Sequence, residues 1–323
     1  MPGNPILDLA FAPWTTHAIF TATRLGVFTA LAENPMAADE LGARLGADRR
    51  IFPSLLNACV GMGLLHVRGR RYTNAHIADV HLVEGKPLYV GDLIEVMAVE
   101  MTDWQHLYDI VRQAPEAIGA TPTAEPDPRR FTLAMNNVAM LGEAAALAEA
   151  VDLSVCRTMA DVGCGSGAYS IAVCHRYPAL RAVLLDRADV LETTREIMRR
   201  HNLENRIETR AADITRDLYG DQLDAVLLSD VLYHDESISR TILRSAHDAM
   251  SPGGQLIIRG YYDDPECPNS PYGAVFGLKL MVGDPGRELI TLPKLLHWIE
   301  ETPFHQVKTF PLTMQSTCIT AVK

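Results

Sequence analysis

The chain has 323 residues, a hydrophobic fraction of 48% and a formal net charge of −11, which leaves room for about two domains with ample core. That charge disfavours a nucleic-acid partner, whose binding draws on clustered Lys and Arg. No apolar run approaches the ~20 residues of a membrane helix and no basic segment followed by an apolar block and cleavage site opens the chain, so a cytoplasmic protein without a membrane partner is expected.

In chain order, helical spacing covers Thr21 to Leu31 and Ala37 to Leu45, and Asp48 is placed to cap a third helix through Ile51, Leu55, Leu56, Cys59 and Val60 that ends at Gly61 and Gly63. Leu64 to Val67, Arg68 to Arg71 and Tyr72-Thr73 then read as strand, turn and strand. Helices followed by a short hairpin describe a winged-helix-like module over residues 1–85. Such a module raises the possibility of a DNA-binding regulator, yet up to residue 90 eight Lys or Arg stand against seven Asp or Glu, and the third helix carries only Arg49 and Arg50 at its start. That is a poor electrostatic footprint. Residues 86–150 read as a helical middle, with Trp104 and the run Phe131 to Met135 on helices and a proline-rich surface loop from Pro115 to Pro128 between them. Each of Trp104, Phe131 and Met135 reads equally well as interhelical core.

The most informative segment starts at Val151, where an apolar run ends in Asp161-Val162-Gly163-Cys164-Gly165-Ser166-Gly167 and passes into a helix-like Ala168-Tyr169-Ser170-Ile171. A strand, a glycine turn and a helix N-terminus make a ligand cradle, because glycines let a ligand approach the main chain and the free N–H groups point at it. The loop formally matches a dinucleotide fingerprint with Asp186 as the ribose-binding acid. Asp161 changes the balance: a carboxylate two residues before the first glycine repels a pyrophosphate but can hold the ammonium group of a bound amino acid. S-adenosylmethionine has that group and no phosphate.

Later segments follow the same plan. Arg181 to Asp186 reads as a strand ending in an acid that can accept from ribose hydroxyls, and Arg206 to Asp213 as the next, with Asp213 placed for the adenine amine. Leu223 to Asp230 is a fourth strand with Ser229 near its end, and Met250-Ser251-Pro252-Gly253-Gly254 turns into the apolar strand Gln255 to Arg259. Gln306 to Pro311 and Cys318 to Val322 supply a last pair. Each acid falls at or just past a strand's carboxyl end, where open α/β sheets bind ligands. A single Asp there reads equally as a helix cap or a solvated strand-end residue, but four in register make coincidence a poor account. The six cysteines, Cys59, Cys156, Cys164, Cys174, Cys267 and Cys318, lack Cys-x-x-Cys spacing, so free thiols are expected rather than a zinc site or a disulfide framework.

Through D-x-G-x-G-x-G, the later acids and the Pro-Gly-Gly turn, residues 151–323 resemble the class I S-adenosylmethionine-dependent methyltransferases. The segment Leu25 to Ala75 resembles the N-terminal dimerisation domain of the bacterial and plant small-molecule O-methyltransferases, and Trp104-Gln105-His106-Leu107 with Phe131 to Met135 matches that family's linker. The resemblance implies an α/β fold: a Rossmann-like, seven-stranded sheet preceded by a mainly helical, winged-helix-like dimerisation domain. It further implies a homodimer, a linker over residues 86–150 that closes on the substrate, and Met135 touching the cofactor. With Asp161, Gly163, Gly165, Gly167, Asp186, Asp213 and Ser229, these are the expected S-adenosylmethionine contacts.

Methyl transfer to a hydroxyl needs positioning and gains from a base, a role His suits near neutral pH. His234, following the fourth strand, is the first candidate, and Glu288 in Gly286-Arg287-Glu288 matches the family's Gly-Lys-Glu segment, whose glutamate orients the histidine or assists the substrate. The chain departs from the family pattern Val-Leu-His-Asp-Trp, running Val231-Leu232-Tyr233-His234-Asp235-Glu236 and falling about two residues short. Either Tyr233 or His234 therefore occupies the base position, with His106 and His297 as outside candidates. The departure also leaves open C-methylation assisted by a metal on Asp230, His234 and Asp235, at a spacing that matches no standard ligand pattern, and a non-catalytic regulator. Phe276, Leu278, Leu280 and Met281 are placed to line a pocket for a flat aromatic or polyketide-like small molecule, or to form a buried helix.

Overall fold

The computed structural model describes residues 4–112, 127–233, 235–262, 271–283, 289–313 and 316–323. The chain divides into two compact units, Met1–Met101 and Thr102–Lys323.

The first unit holds helices α1 (Pro5–Arg24), α2 (Val27–Glu33), α3 (Ala38–Leu45), α4 (Phe52–Gly61) and α5 (His76–His81), with strands β1 (Met36–Ala37), β2 (Leu65–Arg68) and β3 (Arg71–Asn74); helix α6 (Gly91–Trp104) follows. The helix expected over Thr21 to Leu31 is two helices. Gly26 adopts φ +74° and starts α2, a left-handed backbone that ends α1 after Arg24 and turns the chain. The cap expected at Asp48 falls short of the helix: α4 starts at Phe52 with Ile51 at its N-cap and no side-chain cap, and Asp48 instead closes the preceding turn, accepting from the Arg50 and Ile51 backbone N–H groups at 2.9 and 3.3 Å. The hairpin turns at Gly69 and Arg70, both with positive φ, which suits the right-handed twist of a two-residue connection. β1 adds a third strand, in the order β1-β3-β2. Phe20, Phe28, Leu41, Phe52, Leu56, Leu65 and Tyr72 form one buried cluster.

The second unit opens with α7 (Leu107–Arg112), α8 (Pro128–Val138), a π-helical turn (Ala139–Glu143) and α9 (Ala144–Ala150). Then β4 (Thr158–Val162), α10 (Ala168–Arg176), β5 (Arg181–Asp186), α11 (Ala188–Arg199), β6 (Ile207–Ala211), β7 (Leu223–Ser229), α12 (Glu236–Ala249) and β8 (Met250–Gly260) alternate, before α13 (Pro271–Gly283), α14 (Leu292–Glu301), β9 (His305–Pro311) and β10 (Thr317–Val322). The seven strands run β6-β5-β4-β7-β8-β10-β9, parallel through β8, with β10 antiparallel to both neighbours. Successive residues of a strand point to opposite faces, so Leu184, Leu227 and Ile257 join one buried cluster while Leu185, Leu228 and Ile258 join another. β4 lies between β5 and β7, so the connections diverge there and open a crevice at the carboxyl ends.

Candidate active site

The cradle lies at that crevice. Gly163, Gly165 and Gly167 have φ of +70°, +52° and +74°. A Cβ on Gly163 would collide with Val231 Cγ1, and one on Gly167 would stand 2.6 Å from Leu184 Cδ2, whereas one on Gly165 would meet nothing within 4 Å. The loop is therefore packed at both ends and open at its middle. It is held from the neighbouring strand: Gly163 N–H donates to Leu185 O at 2.8 Å and Gly165 N–H to Asp186 Oδ2 at 2.8 Å, while Thr194 Oγ1 donates to Gly165 O at 2.6 Å.

Asp161, one residue before the end of β4, is 2% exposed and accepts a 2.6 Å hydrogen bond from Ser170 Oγ. Burial pushes its carboxyl up to about 7; the Ser170 hydrogen bond opposes that rise and the charge of Asp186 adds to it. Asp186 is also raised by burial, against backbone N–H donors from Gly165 and Arg187. Two acids with raised affinity for a proton suit a cationic ligand.

The other expected contacts differ in their surroundings. Ser229 ends β7 with its Oγ buried and outside hydrogen-bond geometry to any described residue, close to the Tyr169 hydroxyl. Met135 is half-buried on α8, while Phe131 on the same helix is 38% exposed. Asp213 lies two residues beyond β6, exposed, and its Oδ1 accepts from Thr215 N–H at 3.0 Å and Thr215 Oγ1 at 2.6 Å. It thus closes a local turn in addition to any ligand role.

Past β7, Asp230 adopts φ +55°. Its Oδ1 accepts from the Tyr233 hydroxyl at 2.6 Å, and its Oδ2 pairs with Arg259 Nη1. Burial raises the Tyr233 phenol well above its ordinary value, so at neutral pH Tyr233 is a donor and poorly suited to accept a proton. His234 and Glu288 lie outside the described residues, as do residues 115–126 of the proline-rich stretch. Asp235 caps α12, accepting from Ile238 N–H at 3.0 Å. No group of three or more His, Cys, Asp or Glu among the described residues has a metal-holding arrangement. His106 is exposed, and His297 sits on the outer face of α14 with its Nε2 3.4 Å from Glu301. On α13, Phe276 packs 6.2 Å from the Tyr233 ring and 5.2 Å from Tyr261, while Leu278 and Met281 are exposed.

Sequence reasoning missed Arg259, which is 1% exposed at the end of β8. Its Nη2 donates to Glu143 Oε2 at 2.7 Å, and Glu143 also accepts from Thr313 and Ser316 hydroxyls, each at 2.6 Å. A charge at the end of an apolar strand was the signal available; Glu143, within an alanine-rich helix, gave none.

The O-methyltransferase domain model matches residues 91–289, well over half of the chain, and the O-methyltransferase dimerisation domain model matches residues 7–84. The chain belongs to the O-methyltransferase family. This O-methyltransferase is accordingly an S-adenosylmethionine-dependent enzyme by class. It is 33% identical over 316 residues to the 3-hydroxy-5-methyl-1-naphthoate 3-O-methyltransferase of Streptomyces sahachiroi, covering 94% of this chain and 90% of that one. It is 27% identical to the tetracenomycin polyketide synthesis 8-O-methyl transferase TcmO of Streptomyces glaucescens, over 95% and 93%. The fold matches that of human N-acetylserotonin methyltransferase, solved in complex with S-adenosylmethionine, with a TM-score of 0.85, 23% identity and coverage of 98% and 96%.

The cradle of this O-methyltransferase fits the methyl donor. A buried carboxylate with raised proton affinity suits an ammonium group, the open middle of the loop admits close approach to the backbone, and the Ser229 hydroxyl is buried outside hydrogen-bond geometry.

Proposed function

We propose that this enzyme methylates a hydroxyl group of a small aromatic or polyketide-like metabolite, working as a homodimer joined through a winged-helix-like region at residues 1–85. Residues 86–150 serve as linker and substrate cap, and residues 151–323 as the catalytic region. S-adenosylmethionine, when bound, supplies an electrophilic methyl group on a sulfonium. Asp161 holds its ammonium group, the backbone at Gly163, Gly165 and Gly167 admits it, Asp186 accepts from ribose hydroxyls, and Asp213, Ser229 and Met135 complete its surroundings. His234 takes the proton of the acceptor hydroxyl, oriented by Glu288. Tyr233, whose hydroxyl donates to Asp230, lines the acceptor side.

The observation that carries this reading is Asp161, a carboxylate buried beside a glycine cradle and unsuited to a diphosphate. The names of the two Streptomyces relatives support a polycyclic hydroxyl acceptor. The exposed Ile6, Leu9, Phe11 and Trp14 on α1 support burial of that helix by a second copy. No described helix is long and apolar enough to cross a membrane, and with the net charge of −11 this supports a cytoplasmic enzyme with neither membrane nor nucleic-acid partners. Calorimetric titration with S-adenosylmethionine and S-adenosylhomocysteine, then methyl transfer to 3-hydroxy-5-methyl-1-naphthoate, tests the reading. Heat from both ligands and a methoxy product are expected; no heat from either ligand overturns it.

A further inference from the structure

Arg259 occupies an unusual position for a charge, at the carboxyl end of a central strand and 1% exposed. Its guanidinium reaches two carboxylates at once, Glu143 through Nε at 3.2 Å and Nη2 at 2.7 Å, and Asp230 through Nη1. Its plane also lies against Tyr261, 4.4 Å from the ring centre, and within 5.5 Å of Tyr169. Only a planar fork can serve both acids and the aromatic faces together; a lysine has one point of charge.

A buried ion pair of this kind is a poor way to gain stability, because desolvation offsets much of the attraction and apolar replacements are often as stable. What it does supply is geometry. Glu143 lies in the π-helical turn beside Gly142, whose φ of +122° breaks the helix, and is held from the other side by Thr313 and Ser316. Asp230 is the non-glycine residue with left-handed backbone directly after β7. Such backbone persists where surrounding contacts over-determine it, and it concentrates at functional sites. Asp230 in turn receives the Tyr233 hydroxyl, and the Tyr233 ring meets Phe276 edge-on. Its neighbour Val231 packs against Gly163 of the cradle. A small cavity lined by Asp230, Val231, Tyr233, Arg259 and Tyr262 marks the same place.

We propose that Arg259 is a positioning residue for methyl transfer: by clamping Glu143 to Asp230 it fixes Tyr233 as a wall of the acceptor site and seats Val231 against the cofactor cradle. This rests on reading the crevice beside β7 as the acceptor site. Arg259 acts through Asp230, with which its Nη1 pairs.

The test uses the full chain with R259K, E143Q and, as a comparator that cuts only the last link, Y233F. Hydrogen–deuterium exchange of the segment 229–233, S-adenosylhomocysteine affinity and melting temperature are measured for each, with turnover on 3-hydroxy-5-methyl-1-naphthoate. R259K keeps the charge and loses the fork. The expected result is exchange at 229–233 at least tenfold faster in R259K and E143Q, rates elsewhere in the sheet unchanged, and a loss of S-adenosylhomocysteine affinity smaller than the loss of turnover. Turnover falls at least tenfold in R259K and less in Y233F. Unchanged exchange at 229–233 in a folded R259K or E143Q overturns the proposal, as does acceleration spread evenly over the whole unit, which marks a merely structural pair. If R259K does not fold, E143Q carries the same comparison. A wild-type chain that binds no S-adenosylhomocysteine refutes the functional reading instead, while the exchange result still decides whether the clamp exists.

Discussion

Ser170 donates a 2.6 Å hydrogen bond to Asp161 from the first turn of α10, so the helix that follows the glycine loop holds the acid that precedes it. One hydroxyl does not compensate the burial of a carboxylate, and Asp161 is pushed up to about 7.

The sign of the resulting pH dependence follows from linkage. A folded-state value raised above the unfolded one means that the neutral acid's contribution to stability is complete below the ordinary carboxylate range, and is lost as pH climbs through about 7. An ammonium ligand prefers the ionised acid, so S-adenosylhomocysteine affinity should rise between about pH 5 and 7, by at most about tenfold per unit for one coupled proton. Calorimetry across that window should show the rise in wild type and a flat profile in D161N. A wild-type profile that falls with pH would contradict the role of Asp161.

Two glycine substitutions should separate packing from ligand access. G163A drives a Cβ into Val231 at positive φ and should destabilise the fold by roughly 1–3 kcal/mol. G165A meets open space, so its stability cost should be about 1–2 kcal/mol from the left-handed backbone alone, with S-adenosylhomocysteine binding weakened at least tenfold. Scanning calorimetry and ligand titration of the same samples give both numbers; normal binding by G165A would place the ligand elsewhere.

Removing a general base typically lowers turnover by about 10²–10⁴-fold. H234A should fall in that range with cofactor affinity nearly unchanged, E288Q should fall less, and both should be insensitive to a chelator, as should wild type. Turnover by H234A equal to wild type would remove that histidine from the chemistry, and loss of wild-type activity with a chelator would revive the metal-assisted alternative.

On α1, Trp14 is 72% exposed and Leu9 70%. If a second copy covers them, L9D/W14D should weaken association by at least about 2 kcal/mol, roughly 30-fold, and light scattering at micromolar concentration should report half the wild-type mass. An unchanged mass would move the dimer interface off this helix.

The parts of the fold legible in the sequence were those set by local chemistry. Asp161, the three glycines and the acid at Asp186 occupy the predicted strand, loop and strand end because turn geometry and strand alternation depend on adjacent residues. The hairpin of β2 and β3 was legible for the same reason, whereas Asp48 closes a turn ahead of α4 and the helix itself starts later, at Phe52. Gly26 was misjudged because helical spacing runs unbroken through it, and β1, two residues long, carries too little pattern to notice. Arg259 and Glu143 stand 116 positions apart. Neither residue's neighbours announce the pairing, since it arises only when a helical kink folds onto the sheet.

The antiparallel β10 sits between β8 and β9, and the turn leading into it delivers Ser316 to Glu143, 173 positions earlier. During synthesis the parallel strands and their helices can begin to assemble while this segment is still being made. The polar lattice of Glu143, Arg259 and Asp230 waits for it, so late, long-range closure should set the pace of maturation. A chain caught before that step would already own its glycine cradle, yet lack the anchor that Ser316 gives Glu143 beside Arg259.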